Sequence, residues 1–168
     1  MLTEAQDMLM DPDPTIRSQG LSRLLETVKD PSMMPLIVDK LSDSSSVIRL
    51  AATQILGSIG DPTAIPPLRT ALHDSNKGVR AGAVVALMRF VDVTLLPDFQ
   101  QALLDHCETV RACAVIALQS LGEKVENVRA TVLEILEAAL QDTDEDVRGA
   151  TAYAITAIHE KTNSINAD

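Results

Sequence analysis

The residues best suited to chemistry crowd into one stretch, "DHCETVRACAVIAL" (Asp105 to Leu118), which holds His106, Cys107, Glu108 and Cys113. An imidazole, two thiols and a carboxylate are the groups that ligate zinc or activate a nucleophile. A zinc site needs three or four such groups converging, and Cys107 and Cys113 do not converge on a helix. The remaining histidines are the isolated His73 and His159, the latter followed by Glu160. No glycine-rich phosphate loop, GxSxG turn or Ser-His-Asp spacing accompanies them. The expectation is no catalytic residue, no metal and no cofactor.

The stretch is one copy of a pattern. "DPDPTIR" (11–17), "DSSSVIR" (43–49), "DSNKGVR" (74–80), "DHCETVR" (105–111) and "DTDEDVR" (142–148) all read Asp, four variable residues, Val or Ile, then Arg. Three residues after each Arg stands Gly20, Ala52, Ala83, Ala114 or Thr151, and seven after it Leu24, Leu56, Leu87, Leu118 or Ile155. Two before each Asp is a Leu, and eight before it lie Pro35, Pro66 and Pro97 in the middle copies. His106, Cys107 and Glu108 therefore fill variable slots, and Cys113 occupies a place that elsewhere takes Gln, Ala or Gly.

Each copy holds two helical patterns. In the third, the spacing predicts a helix over 63–74 with prolines near its start, a turn at "SNKG", and a second helix over 79–90. Gly57, Gly60 and Gly122 are read as helix ends. Two helices of about 12 residues cannot hide their apolar faces alone and must stack on neighbouring copies. The predicted fold is all-α, a right-handed α-α superhelix of five two-helix repeats, HEAT/armadillo-like in kind. A single solenoid over 1–160 is expected, with repeats at about 1–29, 30–60, 61–91, 92–122 and 123–160, and a flexible tail at 161–168. Six extra residues in the fifth copy should lengthen its first helix or loop, and the ten residues before Asp11 leave the first copy a short one.

The recurring pair has a structural use. Asp11, Asp43, Asp74, Asp105 and Asp142 sit at inter-helix turns, where a carboxylate can accept backbone N–H bonds at the positive end of the second helix. Arg17, Arg49, Arg80, Arg111 and Arg148 can reach the turn of the adjacent copy with their fork of donors. An Asp/Arg ladder is expected in preference to an anion clamp.

Composition agrees with stacked helices. Of 168 residues 46 % are hydrophobic, yet there is no Trp, one Tyr and two Phe, so Ala, Leu, Ile and Val build the interior. The net charge of −10 argues against a nucleic-acid partner, which needs a concentrated basic surface. No apolar run reaches the ~20 residues that span a bilayer. Two cysteines do not make a secreted disulfide scaffold, and a reducing cytoplasm is the expected compartment.

"DPTAIPPLRTALHDSNKGVRAGAVVALMRF" and "DPSMMPLIVDKLSDSSSVIRLAATQILGSIG" resemble HEAT repeats, in particular the short form also seen in phycobilisome lyases, and the resemblance extends over about residues 3–160. The resemblance implies a scaffold or regulatory module, or one of a few enzymes. Deoxyhypusine hydroxylases resemble this repeat and hold iron through several His-Glu pairs, where this chain has only His159-Glu160. HEAT-like DNA glycosylases need a basic cleft with aromatic stacking, which this composition lacks.

In such a solenoid the second helices line the concave face, and positions one, five and nine after the Arg should point into it. The predicted partner-binding residues are Leu50, Gln54, Val85, Arg89, Ile116 and Tyr153. The expected function is non-enzymatic: another protein or domain, or a second copy, held on the concave face, with no direct membrane insertion. Two alternatives stand beside it, a bilin-lyase-like subunit acting on a tetrapyrrole and a soluble regulatory domain cut from a larger protein, membrane proteins included.

Overall fold

The computed structural model describes residues 2–27 and 33–165, and its regular elements in those ranges are all helical. The α-helices are α1 (Leu2–Leu9), α2 (Pro14–Thr27), α3 (Met34–Asp39), α4 (Ser46–Ile59), α5 (Ile65–Ala71), α6 (Lys77–Met88), α7 (Leu96–Ala102), α8 (Glu108–Lys124), α9 (Arg129–Ala139) and α10 (Glu145–Ile165). They alternate between a first and a second helix of each repeat. The chain separates into two compact units, residues 1–90 carrying α1–α6 and residues 91–168 carrying α7–α10.

Local chemistry explains the boundaries. The 63–74 pattern divides into a 3-10 turn, Pro62–Ala64, and the short α5. Asp61 caps that turn by accepting the Thr63 N–H at 2.8 Å, and Pro66 and Pro67 occupy the first helical turn, where no N–H is needed. The second helix starts two residues earlier than its apolar pattern, at Lys77. Asn76 accepts the Gly78 and Val79 N–H groups there at 2.8 and 3.4 Å. In the fifth repeat the extra length goes into both neighbours of the turn: α8 runs 17 residues, and α9 has 11 where α3 has 6 and α5 has 7. The helix α10 continues to Ile165, so 161–165 is helical rather than a tail, and 166–168 lie outside the described residues. The boundary expected between 29 and 30 also lies outside them.

Only one of the three glycines ends a helix. Gly60, at φ +71°, is the left-handed cap of α4. Gly57 and Gly122 lie inside α4 and α8, at points of close approach. A Cβ on Gly57 would sit 2.8 Å from Ala86 Cα, and one on Gly122 3.0 Å from Ile158 and 3.1 Å from Val132. Val91, eleven residues after its Arg as Gly60 is after Arg49, adopts φ +48°, a conformation costly for a β-branched residue.

In each unit the core repeats the sequence register. Ile37, Leu68, Phe99 and Leu136, all twelve residues before an Arg, anchor the first helices, and each is at most 2 % exposed. The second helices bury positions three and seven as Ala52, Leu56, Ala83 and Leu87 in the first unit and Ala114 and Leu118 in the second, whereas α10 buries Thr151 and Ile158 and leaves Ile155 half-buried. No helix among the described residues is long and apolar enough to cross a membrane.

Candidate functional site

The reactive-looking stretch serves the turn before α8. His106 is exposed, its Nδ1 3.5 Å from Asp105 Oδ1. Cys107 is buried at the helix N-cap, and its N–H donates to Asp105 Oδ1 at 2.8 Å. Cys113 is half-buried, and burial pushes its thiol above the usual range, which disfavours the reactive thiolate. Both thiols are free. Among the described residues no three His, Cys, Asp or Glu side chains cluster as a metal-binding group.

The five arginines face turns. Arg17 grips Asp43 with Nε and Nη2, both at 2.8 Å. Arg49 grips Asp74 at 2.7 and 2.8 Å, and Arg111 grips Asp142 at 2.7 Å through both nitrogens. Each of these pairs joins consecutive repeats. The remaining Nη1 donates into the turn of the arginine's own repeat: to Asp11 O and Pro12 O from Arg17, Asp43 O and Ser44 O from Arg49, and Asp74 O and Ser75 O from Arg80. Arg111 bonds Asp105 O, and Arg148 bonds Asp142 O and Thr143 O. The carboxylates also accept the N–H two residues on, Asp11 from Asp13, Asp43 from Ser45, Asp74 from Asn76 and Asp142 from Asp144.

This bonding sets the charges. The Arg49 guanidinium holds the Asp74 carboxyl below the usual range, and Arg111 does the same to Asp142. At Asp43 burial opposes the charge, and the bonds from Arg17 and the Ser45 N–H outweigh it. Arginines bonded in this way are committed to the framework.

The second-helix faces carry a groove and exposed apolar side chains. In residues 1–90, α4 and α6 enclose a groove of about 300 Å³ with Leu50, Ala81, Gly82 and Val85 as its apolar lining and Gln54 and Arg89 as polar members. Val85 is 42 % exposed, Gln54 and Arg89 are exposed, and Leu50 is half-buried against Ala71, Val79 and Ala83. Four of the six expected residues thus share one groove. In residues 91–168, α8 and α10 pack together and carry Ile116 and Tyr153, 50 % and 70 % exposed. Beside Tyr153, Gly149 opens onto empty space. Position six after the Arg, not counted as core from the sequence, is buried as Ile55, Ala86, Ala117 and Ala154.

A second kind of groove escaped the sequence reading. It lies between successive first helices, on the outer side of the pairs. Val38, Leu41, Ser42, Pro67, Thr70, Ala71, His73 and Asp74 line it in the first unit, and Gln100, Leu103, Leu104, Ile135, Ala138, Ala139, Gln141 and Asp142 in the second. Counted from the arginines, the two sets occupy the same eight positions. The available signal was Leu104, a large aliphatic residue in a slot that elsewhere holds Met10, Ser42, His73 and Gln141. Charge is also unevenly divided. Residues 1–90 carry ten acids and nine bases, and residues 91–168 fourteen acids and five bases, so nearly all of the −10 belongs to the second unit.

A family model for HEAT repeats matches residues 3–88 and again 68–156. No curated protein matches the sequence. Among solved structures, the complex of CpcE and CpcF of phycocyanin lyase from Nostoc sp. PCC7120 is similar at TM-score 0.76 and 19 % identity. The match covers 95 % of this chain and 65 % of that one, so this chain spans under two thirds of that neighbour's length. A designed armadillo repeat protein in complex with the peptide (KR)4 is similar at TM-score 0.70 and 17 % identity, over 94 % of this chain and 81 % of the other. An engineered protein matches at TM-score 0.68 and 19 % identity, over 94 % and 78 %. At these identities the likeness concerns fold, which is the HEAT/armadillo-like α-solenoid.

Proposed function

The chain belongs to the HEAT-repeat family, and on that footing we propose that it is a non-enzymatic interaction module holding a partner protein on its second-helix faces. Leu50, Gln54, Val85 and Arg89 would meet the partner in residues 1–90, and Ile116 and Tyr153 in residues 91–168. One observation carries this reading: Val85, Ile116 and Tyr153 stand at the same position of three second helices and each leaves 42 % or more of its surface in water. Exposed apolar residues in register are costly unless something covers them. The bound arginines agree with it, because their donors are engaged within the framework rather than offered to an anion.

A bilin-lyase-like role is the second reading, favoured by the likeness to the phycocyanin lyase complex. It makes a separate forecast, a shifted absorption band when the protein is mixed with a bilin.

The interaction reading is tested with Val85→Glu and Ile116→Glu. Partners recovered with the unaltered chain by affinity capture should be lost, while the helical circular dichroism stays and Tm moves by no more than about 2 °C, as for ordinary surface changes. Unfolding of both variants would identify the residues as core and end the proposal. Undiminished capture would end it too.

A further inference from the structure

We infer that the outer groove between α7 and α9 is a second docking site, and that its occupant is a cationic amphipathic helix of another protein. This surface is independent of the second-helix faces.

The two outer grooves make a comparison within one chain. Their shared positions are framework: Leu41 matches Leu103, Ala71 matches Ala139, and Asp74 matches Asp142, each Asp held by an Arg. The cleft is therefore a product of repeat stacking. Its lining is not. Where the first unit has Ser42 and Thr70, the second has Leu104 and Ala138, while Gln100 takes the place of Val38 and Ile135 that of Pro67. Ser42 fills its slot without an apolar side chain, so stacking does not require one at Leu104. Leu104 nonetheless stands 74 % exposed, the highest exposure among the large hydrophobic residues described as exposed. With Ile135 and Ala138 it makes an apolar cleft open to water, of about 300 Å³.

Charge identifies the occupant. Helix α7 contains no base, and the one base of α9, Arg129, donates to Gly122 O at 3.0 Å. Glu134, one helical turn before Ala138, and Glu137 are exposed on α9. Residues 91–168 as a whole carry fourteen acids against five bases. Two copies of this chain, each at a net charge of −10, repel one another overall. A partner helix with aliphatic side chains at three- and four-residue spacing fills the cleft, and Lys or Arg on its flanks meets the glutamates.

The test uses the ¹⁵N-labelled full chain titrated with two synthetic helical peptides. Both carry leucines along one side, one with flanking lysines and one with glutamates in their place. The lysine peptide should shift the amide signals of Leu104, Ile135 and Ala138, and the glutamate peptide should bind at least about tenfold more weakly. Leu104→Ser installs the residue of the first unit's slot and should weaken the lysine peptide about tenfold, the loss expected for one anchoring leucine. Glu134→Lys should weaken it further, while Glu145→Lys, at the exposed start of α10, should change affinity less than about threefold. The inference is overturned by shifts spread over the acidic surface, by shifts confined to the second-helix faces, by equal binding of Leu104→Ser, or by no binding at millimolar peptide. Because Val85→Glu and Ile116→Glu leave this groove intact, loss of the other reading would not alter these results.

Discussion

Removing one guanidinium tests what holds consecutive repeats in register. Arg49 makes two bonds to Asp74, at 2.7 and 2.8 Å, and two to the turn carbonyls of Asp43 and Ser44, at 2.9 and 3.3 Å. The two side chains keep only 14 % and 11 % of their surface in water. Arg49→Met keeps the apolar stem and deletes every donor. Asp74 then keeps the Asn76 N–H at 2.7 Å. Breaking a fully buried pair costs about 3–5 kcal/mol. This pair is reached by solvent at its edge, which reduces the expected loss to about 2–3 kcal/mol, or a fall in Tm of roughly 5–10 °C for a chain of this size. Urea denaturation followed by circular dichroism would measure it for Arg49→Met, Asp74→Asn and the double variant. The double variant should lose at least about 1 kcal/mol less than the sum of the single losses, because each single change strands the other partner. Additivity within about 0.5 kcal/mol would refute the coupling and reduce the recurring Asp and Arg to separate turn caps.

Helix propensity alone has Gly57→Ala stabilising by about 1 kcal/mol, but the added Cβ would stand 2.8 Å from the Ala86 backbone; thermal melting should show a net loss of about 1–2 kcal/mol. Val91→Gly should raise Tm by about 2–4 °C, since glycine adopts φ +48° without the strain a β-branched residue bears. Acid should unfold the protein through Asp43, Asp74 and Asp142, whose carboxyls are held below the usual range. Below about pH 4 the unfolded chain binds more protons than the folded one, so stability is full above that pH and falls as pH drops through the folded values. A pH series of urea midpoints should be less steep there in Asp74→Asn.

The repeat was legible because its signals are periodic and local. Leu56, Leu87 and Leu118 are buried where seven-residue spacing from an Arg puts them, and Arg49 and Arg111 meet the Asp of the next repeat. What stayed hidden depends on which helix comes close to which. Gly57 and Gly122 look like helix ends in a linear string, and only the contacts with Ala86, Ile158 and Val132 reveal them as points of close approach. The outer groove was hidden for a related reason. Leu104 and Ile135 are 31 residues apart, on different first helices, so no single helical wheel contains both. The division into units at residue 90 was also invisible, because the 31-residue interval between Arg80 and Arg111 runs through it unchanged.

The uneven charge then bears on what each unit is for. Framework positions are nearly constant from repeat to repeat, so they cannot place fourteen acids and five bases in residues 91–168 while leaving residues 1–90 near neutrality. The excess must come from variable slots and helix surfaces, such as Glu134, Glu137, Glu145 and Asp146. Like charges gathered on a small unit repel and lower its stability. A stacking requirement cannot account for them, since the first unit stacks the same helix pairs without the excess. Recognition of a positively charged partner can, because attraction to an oppositely charged surface offsets that repulsion on binding and speeds the encounter. The same contrast separates Ser42 from Leu104: one repeat framework, with an exposed leucine and an acidic surface in the second unit's copy.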